Sequence, residues 1–301
     1  MSDPGTPLED LSNALATAVE RAARATVRVD ARARIPATGI VWSDGVVVTA
    51  DHVVERDEDV SVGLPDDVVV DATVVGRDPG SDVVVLRIAS ATPAIALAPD
   101  ESQRIGSLVL ALGRPGAGGP EASLGVISAS GGPWRTFRGG RVGGSIRSDT
   151  TFFPGFSGGP LIDVEGRMVG LNSSHLGRGA GLTVPHAALT PIVEALLGGG
   201  RVRRSYLGIG SQVARLPESM GAKLDGQETG LLIITVEPES PAGQAGLMIG
   251  DVLVRFGGAA ITDTEALQAE LGPERVDQAV ALTVLRGGEP AEIAVTVGER
   301  T

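Results

Sequence analysis

Gly155-Phe156-Ser157-Gly158-Gly159-Pro160-Leu161 places one serine among three glycines, directly ahead of an apolar run. Glycine tolerates backbone geometry closed to other residues, so the Gly155 and Ser157 amides can converge on one carbonyl oxygen. A serine hydroxyl is a weak nucleophile until a base takes its proton, and histidine is the side chain matched to that task near neutral pH. The chain has three histidines: His52 just beyond Val46-Val47-Val48, and His175 and His186 downstream of the serine. A third group must orient the imidazole and stabilise its protonated form, and Asp82 stands immediately before the run Val83 to Ile88. Each residue alone has a plainer reading: a satisfied structural histidine, a turn aspartate, a loop serine. Together, the order His52, Asp82, Ser157 is the chymotrypsin-type order.

The same stretch fits the Gly-x-Ser-x-Gly pattern of α/β-hydrolases. That fold needs a helix straight after the serine, which Gly158-Gly159-Pro160 disfavours, and an alternation of strands and helices that is missing. From Thr26 to about Val184 the chain instead runs in short valine-rich segments broken by glycine, proline and aspartate, which predicts an all-β barrel or sandwich.

Outward from this region, Leu8, Leu11, Leu15 and Val19 recur at helical spacing and predict an N-terminal amphipathic helix packed on the domain. Thr190 is the expected cap of a helix starting at Pro191, with Ile192, Val193, Leu196 and Leu197 as its apolar stripe and Gly198-Gly199-Gly200 as its end. These glycines mark the domain boundary. Beyond them, strands are expected at 231–236, 251–256, 279–285 and 291–297. A short helix is expected at 240–246, and a second one, capped by Thr262 with Glu265 as capping-box partner, runs to Leu271. This is a small α+β domain.

Composition narrows the chemistry. The 301 residues are enough for two cores, and with no cysteine a disulfide framework, a thiolate metal site and a cysteine nucleophile are excluded. Neither a metal nor a cofactor is expected. A net charge of −12 argues against general binding to nucleic acid or an anionic membrane. The one basic run, Arg201 to Arg204, reads as a solvated linker. Met1 to Arg24 lacks the uninterrupted apolar stretch of a signal peptide or membrane anchor, so a cytoplasmic location is expected.

Three motifs carry a family resemblance. Thr49-Ala50-Asp51-His52-Val53-Val54, Ser81-Asp82-Val83-Val84-Val85-Leu86, and Ser148-Asp149 with Pro154 to Leu161 resemble the histidine, aspartate and serine motifs of the HtrA (Deg-type) serine proteases. The resemblance covers nearly the whole chain. It implies a mainly β protein, a chymotrypsin-like double β-barrel followed by a small α+β PDZ domain, cutting unfolded or damaged protein. The domains expected on this basis are an N-terminal helical extension at 1–25, a trypsin-like domain at 26–198, a linker at 199–205 and a PDZ domain at 206–301. The catalytic residues implied are His52, Asp82 and Ser157, with the Gly155 and Ser157 amides as oxyanion hole.

Tyr206-Leu207-Gly208-Ile209 resembles the family's PDZ loop, whose amides receive a peptide C-terminus while the peptide adds as a strand. The expected pocket segment Gly179-Ala180-Gly181-Leu182-Thr183-Val184 holds no acidic group, which argues against selection of lysine or arginine. Phe152 and Phe153 are read as core residues, with the cleft rim as the alternative. Phe156 stands where the family carries asparagine, which motivates a rival reading: a pseudoprotease acting as a chaperone-like peptide-binding protein. The resemblance also implies a homo-oligomer. Family trimers use aromatic residues near the N-terminus, and none precedes Trp42 here.

Overall fold

Valine-rich runs become strands because β-branched side chains pack well on a pleated surface, and the intervening glycine, proline and aspartate turn the chain. Six of them, β1 (Thr26–Asp30), β2 (Ala37–Ser43), β3 (Val46–Thr49), β4 (Val60–Gly63), β5 (Val69–Asp78) and β6 (Val83–Ile88), close into an antiparallel barrel of order β1-β2-β3-β6-β5-β4. A second barrel is built from β7 (Leu108–Gly113), β8 (Glu121–Gly131), β9 (Ser145–Ser148), β10 (Pro160–Ile162), β11 (Met168–Ser173) and β12 (Leu182–Pro185), in the order β9-β12-β11-β10-β7-β8. Closure leaves no unpaired edge in either barrel. The computed structural model describes residues 6–100, 103–136, 140–177, 181–200, 202 and 205–299. Gly179 and Ala180 of the expected pocket segment, and Arg201, Arg203 and Arg204 of the basic run, lie outside them.

The chain divides into two units, Met1–Val202 and Arg203–Thr301. In the first, Val27, Val29, Ile40, Val47, Val62 and Val85 belong to a core cluster that fills the first barrel. Val109, Ala111, Ile127, Ile146, Leu161 and Val169 form a separate cluster in the second. Each large apolar side chain so buried contributes about 1.5–3 kcal/mol. Helix α1 (Pro7–Ala23) starts with a capping box between Thr6 and Glu9. Only its later turns dock: Leu15, Ala18, Val19 and Ala22 pack inward, whereas Leu8 and Leu11 are exposed. The apolar spacing thus gives the helix but overstates the length of its buried face.

Helix α2 (His186–Gly199) begins well before Pro191, contrary to the expected start at a Thr190 cap. Thr190 lies inside it, with its hydroxyl donating to the His186 carbonyl at 3.0 Å. A threonine inside a helix can bond back to the preceding turn, so it need not mark the start. Gly200, at φ +71°, ends the helix in the left-handed region where glycine carries no Cβ penalty.

The second unit is a sheet in the order Ile209–Arg215, Thr229–Val236, Val252–Phe256, Ala279–Arg286, Glu289–Thr296. Leu231, Ile233, Leu253, Phe256, Leu267, Leu282 and Val284 form its core. Ser240 caps the short helix Pro241–Gln244 by accepting from the Gly243 amide at 3.1 Å. The longer helix, Thr264–Glu270, is capped by Asp263, whose carboxylate accepts from the Ala266 amide at 2.8 Å. Thr262 is therefore one residue too early as a cap. A carboxylate at the helix start also complements the macrodipole, which favours aspartate over threonine there. Among the described residues, no helix is long and apolar enough to cross a membrane.

Candidate active site

His52 rides on a single 3-10 turn, Asp51–Val53, that follows β3, and Asp82 is the last residue before β6. Since β3 and β6 are hydrogen-bonded neighbours, the two motifs meet at one end of the first barrel. Asp82 adopts φ +58°, a conformation in which aspartate is enriched, and its carbonyl accepts from the Asp51 amide at 3.2 Å. That link fixes the histidine turn to the aspartate turn. The Asp82 side chain is 2% exposed, and its carboxylate accepts from the His52 amide at 2.9 Å. The same carboxylate lies 3.0 and 2.8 Å from His52 Nδ1. The Ser173 hydroxyl donates to it as well. An acceptor on this side holds the proton on Nδ1 and leaves Nε2 free to act as a base.

The serine loop is pinned at several points. Thr38 donates through its hydroxyl to the Gly155 carbonyl at 2.7 Å and through its amide to the Ser157 carbonyl at 3.3 Å. Gly158 has φ +86°, and a Cβ there would lie 2.0 Å from Thr49 Oγ1 and 2.2 Å from the Thr38 carbonyl oxygen. Only glycine fits that turn. The Gly158 amide donates to the Asn172 carbonyl at 2.8 Å, tying the loop to β11. Among the described residues, no acceptor is seen for the Gly155 or Ser157 amide. Two free donors beside a serine hydroxyl are groups that could stabilise an oxyanion.

Phe156 is fully buried, in the apolar cluster of the second barrel. Its ring fills the space over Gly113, where a Cβ would come within 2.3 Å, and meets Phe153 edge-on at 5.3 Å between centroids. The residue before the serine is thus the loop's apolar anchor. Phe153 itself is 44% exposed, so the core placement fails for it: its ring meets Phe156 while a large part of it is open to solvent. Phe152 does pack on the cluster, and its ring lies where a Gly181 side chain would be.

Ser157 and His52 are not in direct hydrogen-bond contact. The Ser157 hydroxyl lies 2.9 Å from the Ser174 hydroxyl and accepts from the Ser174 amide at 3.2 Å. Ser174 Oγ in turn is 3.5 Å from His52 Nε2. His175 stacks on His52, with centroids 4.9 Å apart and planes at 19°. His186 stands elsewhere, at the start of α2, 3.6 Å from an Asp100 carboxylate oxygen. Ser173 and Ser174 escape sequence reasoning, and the place of His175 against His52 does too, because a polar strand end offers no spacing that separates these residues from an ordinary turn.

In the second unit, Tyr206 ends a two-residue strand and Ile209 opens the strand Ile209–Arg215. Leu207 is buried, and Gly208, at φ +79°, sits where a Cβ would collide with Ser240 Cβ at 2.1 Å. The Tyr206 hydroxyl donates to Glu237. The Leu207 carbonyl accepts from Ala242 at 2.9 Å and the Gly208 carbonyl from Glu237 at 2.9 Å. These bonds tie both carbonyls to the backbone at Ala242 and Glu237, and the strand that follows lies at the sheet's edge.

Residues 37–171 match the trypsin-like peptidase domain family and residues 218–297 the PDZ domain family. The loop Tyr206–Ile209 precedes the second matched range. A "Probable periplasmic serine endoprotease DegP-like" of Marinomonas sp. is 33% identical over 269 residues, which are 87% of this chain and 56% of that protein. A protein of the same name from Halomonas elongata is 33% identical over 86% of this chain and 55% of its own length. The chain thus spans about half the length of the curated relatives it matches. Among solved structures, the serine endoprotease from Yersinia pestis aligns over 100% of both chains with a TM-score of 0.79 and 28% identity. The HtrA-type protease AlgW with a decapeptide aligns over 95% of this chain and 99% of its own, with a TM-score of 0.78 and 26% identity. The cytoplasmic location does not stand, since the relatives are named periplasmic. A start at Met1 carries no information about compartment, and a chain without cysteine folds in an oxidising compartment as in a reducing one. With a trypsin-like peptidase domain joined to a PDZ domain, the chain belongs to the HtrA (DegP-like) family.

Proposed function

We propose that this chain is a serine endopeptidase that hydrolyses peptide bonds of unfolded or damaged proteins. The observation that carries the reading is the buried Asp82 carboxylate on His52 Nδ1 at 2.8 Å, with the Ser157 hydroxyl joined to the opposite ring nitrogen through the hydroxyl of Ser174. In the reaction, Ser157 Oγ attacks the scissile carbonyl carbon as its proton passes to His52 Nε2. Asp82 stabilises the imidazolium, and the Gly155 and Ser157 amides donate to the oxyanion. His52 then protonates the leaving amine, the C–N bond breaks, and water repeats the sequence on the acyl-serine. Domain bounds of 26–198 for the peptidase and 206–301 for the PDZ domain are part of the same proposal.

The PDZ unit binds peptide C-termini. In the loop Tyr206–Ile209 the Leu207 and Gly208 carbonyls are already bonded to Ala242 and Glu237, which leaves the amides of the loop to receive a carboxylate, and the edge position of Ile209–Arg215 suits addition of a strand. Phe152 over Gly181, and the absence of acid at 181–184, support cleavage after small aliphatic residues. The test is degradation of casein by the purified chain beside Ser157→Ala, with and without a peptide ending in an apolar residue. Cleavage by the parent alone is expected, and persistent cleavage by the variant would sink the assignment. The rival, peptide binding without turnover, is favoured by one observation, the Ser157 hydroxyl facing Ser174 rather than His52. Any Ser157-dependent hydrolysis excludes it.

A further inference from the structure

Ser174 is a third hydroxyl in the catalytic line that neither the serine motif nor the histidine motif contains. Its two polar groups both meet the nucleophile: the amide donates to Ser157 Oγ at 3.2 Å, and the hydroxyl lies 2.9 Å from the same atom. Proton directions follow from Asp82. With the imidazole proton held on Nδ1 by the carboxylate, Nε2 is an acceptor, so the Ser174 hydroxyl donates to it across 3.5 Å. Ser174 Oγ must then accept the Ser157 proton. Every donor in the line is matched, and the hydroxyl to be activated is spent on a neutral neighbour with no basicity near neutral pH.

The geometry points to Ser174 as a positioning residue that intercepts the nucleophile: it takes the place on His52 Nε2 that Ser157 must occupy, and so holds the enzyme below its full reactivity. The inference rests on the hydrolase reading given above. A relay through Ser174 is the opposite expectation. It would make the hydroxyl helpful, although the second step of such a relay spans the longest contact in the line. Because Ser174 is exposed at the end of β11, trimming its hydroxyl leaves the core untouched, and alanine keeps the amide.

The test is the rate at which phenylmethanesulfonyl fluoride modifies Ser157. In that reaction an O–S bond forms, the S–F bond breaks with loss of fluoride, and the proton goes to His52. It is followed by intact mass in the full chain, with Ser157→Ala as blank, so no peptide substrate or PDZ ligand enters. Releasing one ordinary hydrogen bond predicts labelling of Ser174→Ala roughly fivefold faster than the parent. Ser174→Thr, which restores a hydroxyl, should label at the parent rate, with the tryptophan unfolding midpoint unchanged in both variants. Equal rates for parent and Ser174→Ala overturn the proposal, slower labelling of Ser174→Ala replaces it with the relay, and acceleration by Ser174→Thr shows that the hydroxyl is not the cause. No labelling of parent or Ser174→Ala, both folded, defeats the hydrolase reading itself.

Discussion

Replacing Phe156 by asparagine, the residue that the family resemblance puts there, is expected to damage the second barrel rather than to improve the serine loop. The ring is 0% exposed and lies among Val109, Ala111, Ile127, Leu161 and Val169. A phenylalanine side chain buries roughly 150–200 Å², which at about 25 cal/mol per Å² is about 4–5 kcal/mol. Asparagine also brings an amide into an apolar cluster, at a further cost of about 1–3 kcal/mol for each polar group left unpaired. The loss is a large share of the about 5–15 kcal/mol that a domain possesses. Both tryptophans, Trp42 and Trp134, lie in the first unit, so their fluorescence in urea reports on it alone. With a slope of about 2–3 kcal/mol per M, the midpoint should fall by roughly 2 M. Phe156→Leu should lose about 1.5 kcal/mol and remain folded. Because Phe156 N–H and C=O are bonded to Phe153 and Gly159, loosening the ring also loosens the backbone that carries the Gly155 and Ser157 amides, and Ser157 labelling should slow. An asparagine variant with an unchanged midpoint and faster labelling would refute this account and make the ring a brake on the loop.

Phe156 also shows where the chain was readable and where it was not. The valine runs and the turn residues between them determine barrel strands locally, so β3, β6 and the histidine and aspartate motifs beside them are legible without tertiary information. That His52 meets Asp82 follows because each motif is attached to a strand of a hydrogen-bonded pair. What Phe156 packs against is set by Gly113 on β7, a contact with no periodicity to announce it. Ser174 is invisible for the same reason, since its role depends on where β11 ends relative to the serine loop. Helix boundaries failed on local chemistry with two solutions: a threonine can cap a helix or bond back inside one, and Asp263 outcompetes its neighbour Thr262 as a cap. The compartment was unreadable because a short polar start and the lack of cysteine are neutral between locations.

Asp82→Asn should leave the fold intact while lowering the Ser157 labelling rate by roughly 10⁴-fold, because an amide no longer selects the Nδ1 proton; a loss under tenfold would count against the assigned role. Gly158→Ala forces φ +86° on an L-residue and places a methyl 2.0 Å from Thr49 Oγ1, so its tryptophan midpoint should fall or the variant should not fold, and a parental midpoint would contradict the described turn. The second unit carries a pH dependence of its own. Asp251 is 2% exposed, and its carboxylate accepts from the Arg286 guanidinium at 2.9 and 2.7 Å and from the Met248 amide at 2.9 Å. The guanidinium, more than the amide, holds this carboxyl below the usual carboxylate range, against the opposing effect of burial. A folded value below the unfolded one, about 3.9, gives stability that is complete above the unfolded value and lost as pH falls through the folded value. Hydrogen exchange across Ala279–Arg286 and Glu289–Thr296 should therefore stay slow from neutral pH down to about 4, once corrected for intrinsic rates, and accelerate below it. Arg286→Gln removes the larger cause of the depression, so its protection should be weaker at neutral pH and flatter with acid; the parental acid profile in that variant would show that the pair does not supply the linkage.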